Sequence, residues 1–334
     1  MKQGFLRLVA LATLLAVLLA ACGDSTTTTG SALSTTANTG ASTTSASATT
    51  AATGATTVAG VTTVAGVTTA AGATTAAGAT AVAGATTAGA AQTTGTLKVG
   101  ATAIPHAEIL NYIKDNLAQK EGLTLQVVEF TDYVQPNLAL KDGQIGANFF
   151  QHVPYMEDFA KKNNLNLVAV TKVHLEPLGV YSKKIKSLTE VPDRAIVAIP
   201  NDATNGGRAL QLLAANGLIK LKDNVGTTAT VLDVTSNPKN LQIKELEAAQ
   251  LPRSLEDTTF SVINGNYALA ANLNPSKDAL ALEKAENNPY VNVLTVLKGK
   301  ENDPLVQKLS KLLTSSEVKK FILDKYQGTV IPAF

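Results

Sequence analysis

The chain has 334 residues, and its 28 Lys and Arg nearly balance 26 Asp and Glu, which gives a formal net charge of +2. This balance, without a basic stretch that carries interleaved aromatic residues, argues against nucleic acid as a partner. Cys22 is the single cysteine, so a disulfide framework is excluded and a catalytic thiol is disfavoured.

Residues 1–22 predict a targeting segment outside the fold. Lys2 and Arg7 give it a positive start, and the apolar run from Leu8 to Ala20 is too short to span a bilayer. The small residues before Cys22 resemble the bacterial lipobox, in which the cysteine becomes a lipidated N-terminus; an ordinary secretory signal is the alternative. We therefore expect a lipoprotein signal peptide, with lipid on Cys22 holding the protein to the extracytoplasmic face of the cell membrane.

Residues 23–95 are a low-complexity segment of Thr, Ala, Gly, Ser and Val in which Asp24 is the only charged residue. A six-residue unit recurs there, with glycines at positions 54, 60, 66, 72, 78 and 84. Such a period could indicate a β-solenoid, but the repeat has no large side chains from which to build a core. Nothing in it offsets the entropy of ordering the chain, so we predict a disordered tether.

From Thr96 onward, the sequence pattern alternates between strand-like and helix-like segments. The remaining residues, about 240, suffice for one large domain or two lobes. The alternation of strands and helices predicts a parallel sheet covered by helices. The predicted strands cover residues 97–101, 125–130, 144–150 and 165–171, and the predicted helices cover residues 109–117, 133–140 and 152–162.

The alternation of predicted strands and helices is interrupted near Pro177 to Tyr181, which indicates a crossover to a second lobe. A second series then predicts strands at 195–199, 230–234, 241–246 and 259–263, helices at 205–216 and 265–272, and two terminal helices. Asp303-Pro304 starts the first terminal helix, and Thr314 to Glu317 reads as a capping box for the second. We expect one lobe to comprise residues 96–175 and about 280–334, and the other residues from about 176 to 279.

The stretch from Pro200 to Arg208 joins a buried strand to a helix. Thr204 or Asn205 is expected to cap that helix, whose first turn offers unpaired N–H groups and a positive dipole end to an anion. Gly206 and Gly207 are expected to let a ligand approach the backbone, and Arg208 carries a planar fork that matches a carboxylate. An ordinary capped helix with a solvated arginine is the alternative.

The histidines and the common catalytic motifs give no support for a metal site or an enzyme. His106, His152 and His174 lie in three separate segments, so the sequence predicts no histidine cluster, no metal ion and no cofactor. Neither a P-loop, a Gly-x-Ser-x-Gly turn nor a Gly-x-Gly-x-x-Gly loop follows a strand. Polar residues instead end strands in both predicted lobes, where open sheets bind small ligands.

Seven motifs, in chain order, resemble the methionine-binding lipoproteins of ABC importers, the NlpA type. The resemblance covers essentially residues 96–334, and the long Thr-rich tether is a departure outside the binding part. The motifs are His106 to Leu110, Asp132 to Asn137, Phe149 to Tyr155, His174 to Pro177, Pro200 to Arg208, Leu251 to Leu255 and Val262 to Ala268.

This resemblance implies a two-lobed, type II periplasmic-binding-protein fold, an α/β fold that closes on a free amino acid. It also implies that Arg208 would pair with the ligand carboxylate and that Asn205 would hydrogen-bond beside it. Asn264 would help hold the polar backbone end of the ligand, and Glu176 would face its ammonium group. The walls of the side-chain pocket would be formed by Tyr133, Phe149, Phe150 and His152.

The implied function is that of a lipid-anchored substrate-binding protein, not an enzyme. It would deliver L-methionine to an ABC permease and its ATPase. A methionine-containing dipeptide or another apolar amino acid is the nearest alternative ligand. An extracytoplasmic enzyme that uses the same cleft, and a surface adhesin that uses the tether, are alternatives from other classes.

Overall fold

The computed structural model describes residues 94–334 of the chain. The predicted signal peptide, the lipidation of Cys22 and nearly all of the predicted tether therefore lie outside the described residues. The tether prediction runs slightly too far, because Gly95 already pairs in the first strand. Within the described part, none of the helices combines the length and apolar character that a membrane crossing requires.

Thirteen strands are formed by the described residues. Seven of the eight predicted strands form within a few residues of their predicted positions. The strand predicted at 230–234 is wrong, because Val231–Asp233 forms a 3₁₀ helix and a strand begins only at Val234. In chain order the strands are β1 (Gly95–Thr102), β2 (Leu123–Phe130), β3 (Ala147–His152), β4 (Leu167–Leu175), β5 (Gly179–Tyr181), β6 (Ile196–Pro200), β7 (Lys220–Leu221), β8 (Val234–Ser236), β9 (Gln242–Leu246), β10 (Phe260–Ile263), β11 (Ala281–Leu282), β12 (Val291–Leu297) and β13 (Ile331–Pro332).

The same residues form nine α-helices. In α1, Ile109, Leu110 and Ile113 are buried on one face, as their spacing predicts. In chain order the helices are α1 (Glu108–Asn116), α2 (Gln135–Lys141), α3 (Val153–Asn163), α4 (Ala203–Ala215), α5 (Leu251–Ser254), α6 (Gly265–Ala270), α7 (Pro275–Asp278), α8 (Pro304–Leu313) and α9 (Ser316–Tyr326).

The strands build two large sheets, and we call the part of the molecule around each sheet a lobe. The first sheet has the order β13-β4-β12-β3-β1-β2, and the second the order β11-β5-β10-β6-β9. The predicted parallel sheet is only partly correct. In the first sheet β1 is parallel to β2 and β3, but β12 returns from the second lobe and lies antiparallel between β3 and β4.

Two stretches of chain connect the lobes side by side. The first connection runs through Glu176 to Leu178, and the second through Glu283 to Tyr290. They are hydrogen-bonded to each other, since the backbone N–H of Glu283 donates to the carbonyl of Leu178 at 2.9 Å. Each lobe has its own apolar core, centred for example on Ile109 in the first and on Leu210 in the second. The crossover predicted near Pro177 falls at the first of these connections.

Two predicted helix caps are wrong by one to three residues. Asp202, not Thr204 or Asn205, caps α4, and its Oδ1 accepts from the N–H of Asn205 at 2.9 Å. Ser315, not Thr314, caps α9 and accepts from the N–H of Val318. Both segments offer several good capping residues in a row, and the chain direction at the helix start decides which one is used.

Candidate functional site

A small, partly enclosed cavity lies between the lobes. All of the residues that the family resemblance implies, except Phe149, line it. The lining residues are His106, Tyr133, Phe150, Gln151, His152, Tyr155, Glu176, Asn205, Arg208, Asn264, Gly265, Asn266 and Asn292.

Phe149 lies behind the cavity rather than in its wall. The residue is fully buried in the core of the first lobe. Its ring packs edge-on against the rings of His106, at 4.9 Å between centroids, and His174, at 5.3 Å. Phe149 therefore supports the cavity wall by packing behind His106.

Arg208 is held by the chain on one edge of its guanidinium group. The residue lies in the second turn of α4 and is only 4% exposed, so the alternative of a solvated arginine is wrong. Nε donates to Glu283 Oε1 at 2.9 Å, and Nη2 donates to Glu283 Oε2 at 2.5 Å and to the carbonyl of Glu176 at 2.9 Å. The group also lies 4.3 Å above the ring of Tyr290. Among residues 94–334, Nη1 has no hydrogen-bond acceptor.

The start of α4 does not offer the anion site that the sequence suggests. The carboxylate of Asp202 already occupies the positive end of the helix as its cap. The two glycines serve packing instead of ligand approach. A Cβ on Gly206 would meet the carbonyl oxygen of Pro200 at 2.9 Å, and one on Gly207 would meet that of Thr227 at 2.5 Å. Arg208 therefore supplies the cation of the site by its side chain alone.

Asn205 links the two lobes through its side chain. His152 caps α3, and its Nδ1 accepts from the N–H of Tyr155 at 3.1 Å, so the ring proton resides on Nε2. That Nε2 donates to Asn205 Oδ1 at 3.1 Å, and Asn264 Nδ2 donates to the same oxygen at 2.8 Å. Burial, and then the charge of Arg208, lower the pKa of His152 to about 3, so its ring is neutral.

Asn264 keeps one amide atom available. Its Oδ1 is buried and has no hydrogen-bond donor among the described residues, while its Nδ2 is bound to Asn205. A buried acceptor without a donor costs free energy, on the order of 1–3 kcal/mol. Since Asn264 lines the cavity, this oxygen is available to accept a hydrogen bond there.

Glu176 is the acceptor at the centre of a buried cluster with His106 and His174. Its Oε1 lies 2.7 Å from His174 Nε2 and 3.2 Å from His106 Nε2. His106 Nδ1 lies 2.8 Å from the hydroxyl of Thr102, which can donate to it, so the His106 proton belongs on Nε2. Burial lowers the pKa of His106 to about 4 and that of His174 to about 3. Both rings are therefore neutral: His174 donates to the carboxylate, and the single Nε2 proton of His106 lies between Asn292 Oδ1 and Glu176 Oε1, each 3.2 Å away.

This cluster corrects the argument that the histidines are isolated. His106, His174 and Glu176 offer ligand atoms that all lie within 4.8 Å of one another, so they could hold a metal ion. The 2.7 Å contact between His174 and Glu176 is a hydrogen-bond distance, and neutral donors explain the arrangement as it stands. The sequence missed the cluster because the two histidines come from distant strands and turns.

The charges of the cavity do not cancel. Glu283 neutralises Arg208, whereas Glu176 is surrounded by neutral donors. Burial raises the pKa of Glu176, and the nearby charges only partly oppose this effect. A positively charged ligand group beside Glu176 would therefore compensate a carboxylate that the chain leaves without a full counter-charge.

The rest of the cavity wall is aromatic. Tyr133, Phe150 and Tyr155 pack against one another with ring centroids 5.7 to 6.1 Å apart. The hydroxyl of Tyr133 donates across the cavity to Asn266 Oδ1 at 2.5 Å, and Tyr267 donates back to the carbonyl of Thr131 at 3.1 Å. Together with the bond between His152 and Asn205, these contacts hold the lobes closed over the site.

Several residues of the site escaped the sequence analysis. His106, Gln151, Tyr155 and Asn266 lie inside the recognised motifs, so the signal was present but no role was attached to them. Asn292, which accepts from His106 Nε2 at 3.2 Å, and the pair Glu283 and Tyr290 lie in a segment without any recognised motif.

Similar proteins agree on one family. The family model described as NlpA lipoprotein matches residues 97–334. The D-methionine-binding lipoprotein MetQ of Escherichia coli is 44% identical over 237 residues, which span 70% of this chain and 87% of that protein. The methionine-binding lipoprotein MetQ of Bacillus subtilis is 44% identical over 240 residues, 70% of this chain and 86% of the relative.

The solved structures agree with the family match. A nutrient-binding protein of Burkholderia cenocepacia, solved with methionine bound, is 48% identical, with a TM-score of 0.69. The match covers 71% of this chain and all of that one. These neighbours confirm the predicted two-lobed type II binding-protein fold. With its lobes, its closed cavity and this continuous match, the chain belongs to the NlpA lipoprotein family.

Proposed function

We propose that this protein is an extracytoplasmic, lipid-anchored substrate-binding protein that binds methionine and delivers it to an ABC permease and its ATPase. The relatives named as methionine-binding lipoproteins support the ligand class. The observation that carries the proposal is the composition of the cavity. It combines a buried carboxylate, an unpaired amide oxygen, one free guanidinium nitrogen and an aromatic wall.

In the proposed pose, the ammonium and carboxylate groups of the amino acid contact different polar groups of the cavity. The ligand ammonium group contacts Glu176 and donates to Asn264 Oδ1. The ligand carboxylate accepts from Nη1 of Arg208, the one nitrogen of that group without a partner among the described residues. Every charge of an amino-acid backbone then meets an opposite charge or a dipole in a site that excludes water.

The ligand side chain then extends along Tyr133, Phe150, Tyr155 and His152. These rings favour an uncharged side chain, and a thioether gains from sulfur–aromatic contacts. Within the described lining, no further carboxylate is positioned to meet a cationic side chain. The cavity is small, which favours a free amino acid over a dipeptide as the ligand.

Attachment to the membrane and delivery to a permease rest on the sequence and on the relatives. The curated relatives are named as lipoproteins, and the family model carries the same description. We propose that Cys22 bears the lipid and that the segment before residue 94 connects it to the binding lobes. Replacement of Cys22 by Ser should release the mature protein from membranes, because acyl chains supply the attachment.

Identification of the retained ligand tests the proposed function. Native mass spectrometry of the purified mature protein should show one bound methionine per chain. After unfolding, dialysis and refolding, calorimetric titration should show one-to-one binding of methionine and much weaker binding of a methionine-containing dipeptide. Tighter binding of the dipeptide, or turnover of either compound, would overturn the proposal.

A further inference from the structure

We propose that Glu283 is a resident counter-ion for Arg208, and that it lowers the affinity of the cavity for the ligand carboxylate. This inference rests on the proposed function, because it concerns how the same site holds an amino acid. It assigns a role to a residue outside the cavity, in the second connection between the lobes.

Glu283 and the cavity lie on different sides of the guanidinium group. Arg208 lines both the cavity and an outer groove of about 960 Å³, whereas Glu283 lines the groove but not the cavity. The carboxylate of Glu283 binds Nε and Nη2, which leaves Nη1 for a ligand. With a side chain that is 16% exposed, Glu283 remains close to solvent on its groove side. Any effect on a ligand must therefore pass through Arg208.

Two carboxylates would then share one cation. A ligand carboxylate on Nη1 is attracted by Arg208 but repelled by Glu283, and this repulsion is weakly screened in a buried site. The chain already satisfies the charge of Arg208 before a ligand arrives, so the ligand gains less than it would from an unpaired arginine. In a purely structural role, Glu283 would instead support binding, and its loss would weaken affinity.

The arrangement has a consequence for ligand release. If Glu283 were absent, departure of the ligand would leave the guanidinium of Arg208 buried with only the Glu176 carbonyl and the Tyr290 ring against it. A buried charge without a counter-ion is strongly unfavourable. Glu283 removes that penalty from the ligand-free protein, which a carrier that must hand its ligand on requires.

Glu283→Gln separates charge from shape. The amide oxygen can still accept from Arg208 or from the N–H of Leu178, which lies 3.4 Å from Oε2 in the wild type. The backbone bond from Glu283 to Leu178 is unaffected by the substitution. Arg208 also keeps its bond to Glu176 and its contact with Tyr290. Glu286, an exposed residue of the same connection, offers Glu286→Gln as a control with the same change of net charge.

The test is calorimetric titration of the mature protein with methionine and with methioninamide, which lacks the carboxylate. Glu283→Gln should bind methionine about tenfold more tightly than the wild type, which is about 1.4 kcal/mol. It should gain nothing toward methioninamide, and its ligand-free melting temperature should fall. Glu286→Gln should match the wild type in all three measurements. A gain in affinity together with a loss in stability is the signature that a structural residue would not give.

Equal or weaker methionine binding by Glu283→Gln, beside a wild type that binds methionine, would overturn the counter-ion role alone. A wild type that binds no methionine would overturn the proposed function, and this inference with it. If Glu283→Gln does not fold, Glu283→Asp keeps the charge but shortens its reach. That variant should fold and bind methionine more tightly than the wild type, and unchanged or weaker binding would count against the proposal.

Discussion

Glu176 and Glu283 approach the same arginine, yet their surroundings differ in one decisive respect. Glu283 forms a two-point ion pair with the Arg208 guanidinium, so its charge is cancelled within the chain. Glu176 offers Arg208 only its backbone carbonyl and points its carboxylate at His106 and His174. Those rings are neutral because burial lowers the pKa of both.

The difference shows how pairing within the chain determines which buried carboxylate is available to a ligand. A buried carboxylate that contacts only neutral donors lacks a counter-charge and gains from a ligand cation, whereas one paired with a guanidinium group gains little. Both carboxylates lie in the connections between the lobes. Glu283 there is paired with a counter-ion, and Glu176 is not. Changing pH, the arginine or either carboxylate should break this asymmetry in different ways.

The largest expected effect is a loss of stability in acid. His106, His152 and His174 bind protons in the unfolded chain near pH 6.5 but, with lowered pKa values of about 3 to 4, stay neutral in the folded one. Stability should therefore fall as the pH drops below 6.5, while the raised pKa of Glu176 offsets part of the loss. We expect roughly 3–4 kcal/mol per pH unit from two to three net protons.

Urea denaturation of the ligand-free protein at pH 7 and pH 5.5 measures this effect. The histidine variant His174→Gln removes one titrating group and should reduce the difference in stability between the two pH values by about 1 kcal/mol. A free energy of unfolding that stays flat between the two pH values would show that the folded chain takes up protons as readily as the unfolded one, so that the pKa values of the histidines are not lowered by burial.

Arg208→Ala should destabilise the protein by about 3–5 kcal/mol, because it leaves Glu283 half-buried without its partner. It should also reduce methionine affinity at least thirtyfold, about 2 kcal/mol, through the loss of the carboxylate contact. Adding Glu283→Ala should restore part of the stability but none of the affinity. Denaturation and titration of the three proteins decide the matter. Full stability in Arg208→Ala would mean that the ion pair contributes nothing.

Glu176→Gln should reduce methionine affinity about hundredfold, or about 2.7 kcal/mol, because the ligand ammonium group loses its counter-charge. The direction is opposite to that expected for Glu283→Gln, which makes the two variants a matched pair. Acetylation of the methionine nitrogen should weaken binding to the wild type. The wild type and Glu176→Gln should then bind N-acetylmethionine with similar affinity. A loss below threefold for methionine would place the ammonium group elsewhere in the cavity.

How much of the fold the sequence could predict depends on how local the signal was. The apolar spacing in α1 and the Asp303-Pro304 start of α8 are local signals, and both helices appear where expected. Strand β12 was not predicted, because its place between β3 and β4 depends on pairing with segments more than about a hundred residues earlier in the chain. The second lobe lies between these segments and β12 in the sequence. Insertion of this returning strand is also why the first sheet is mixed.

The site divides in the same way. Arg208, Asn205 and Asn264 lie in motifs that the family resemblance singles out, and the structure brings them to one cavity. Glu283 lies in a polar run, Glu283 to Asn288, that looks like an ordinary solvated surface. Its partner Arg208 is 75 residues away, so only the folded structure connects them. The neutral state of the histidines is equally invisible in sequence, because burial and tautomer decide it.

The smallest expected effect concerns the closed state that brings the two carboxylates to one ligand. Tyr133→Phe removes the hydroxyl that donates across the cavity to Asn266 Oδ1 and keeps the aromatic wall. One such bond contributes about 1 kcal/mol, so methionine affinity should fall about fivefold while the ligand-free stability changes little. Tyr112→Phe is the matched control, since Tyr112 stacks on Phe321 in the first lobe and does not line the cavity. Titration and X-ray scattering of both variants should show weaker closure in Tyr133→Phe alone. Equal affinities in the two variants would mean that closure depends on the ligand contacts at Glu176 and Arg208, and that the bond between the lobes merely accompanies it.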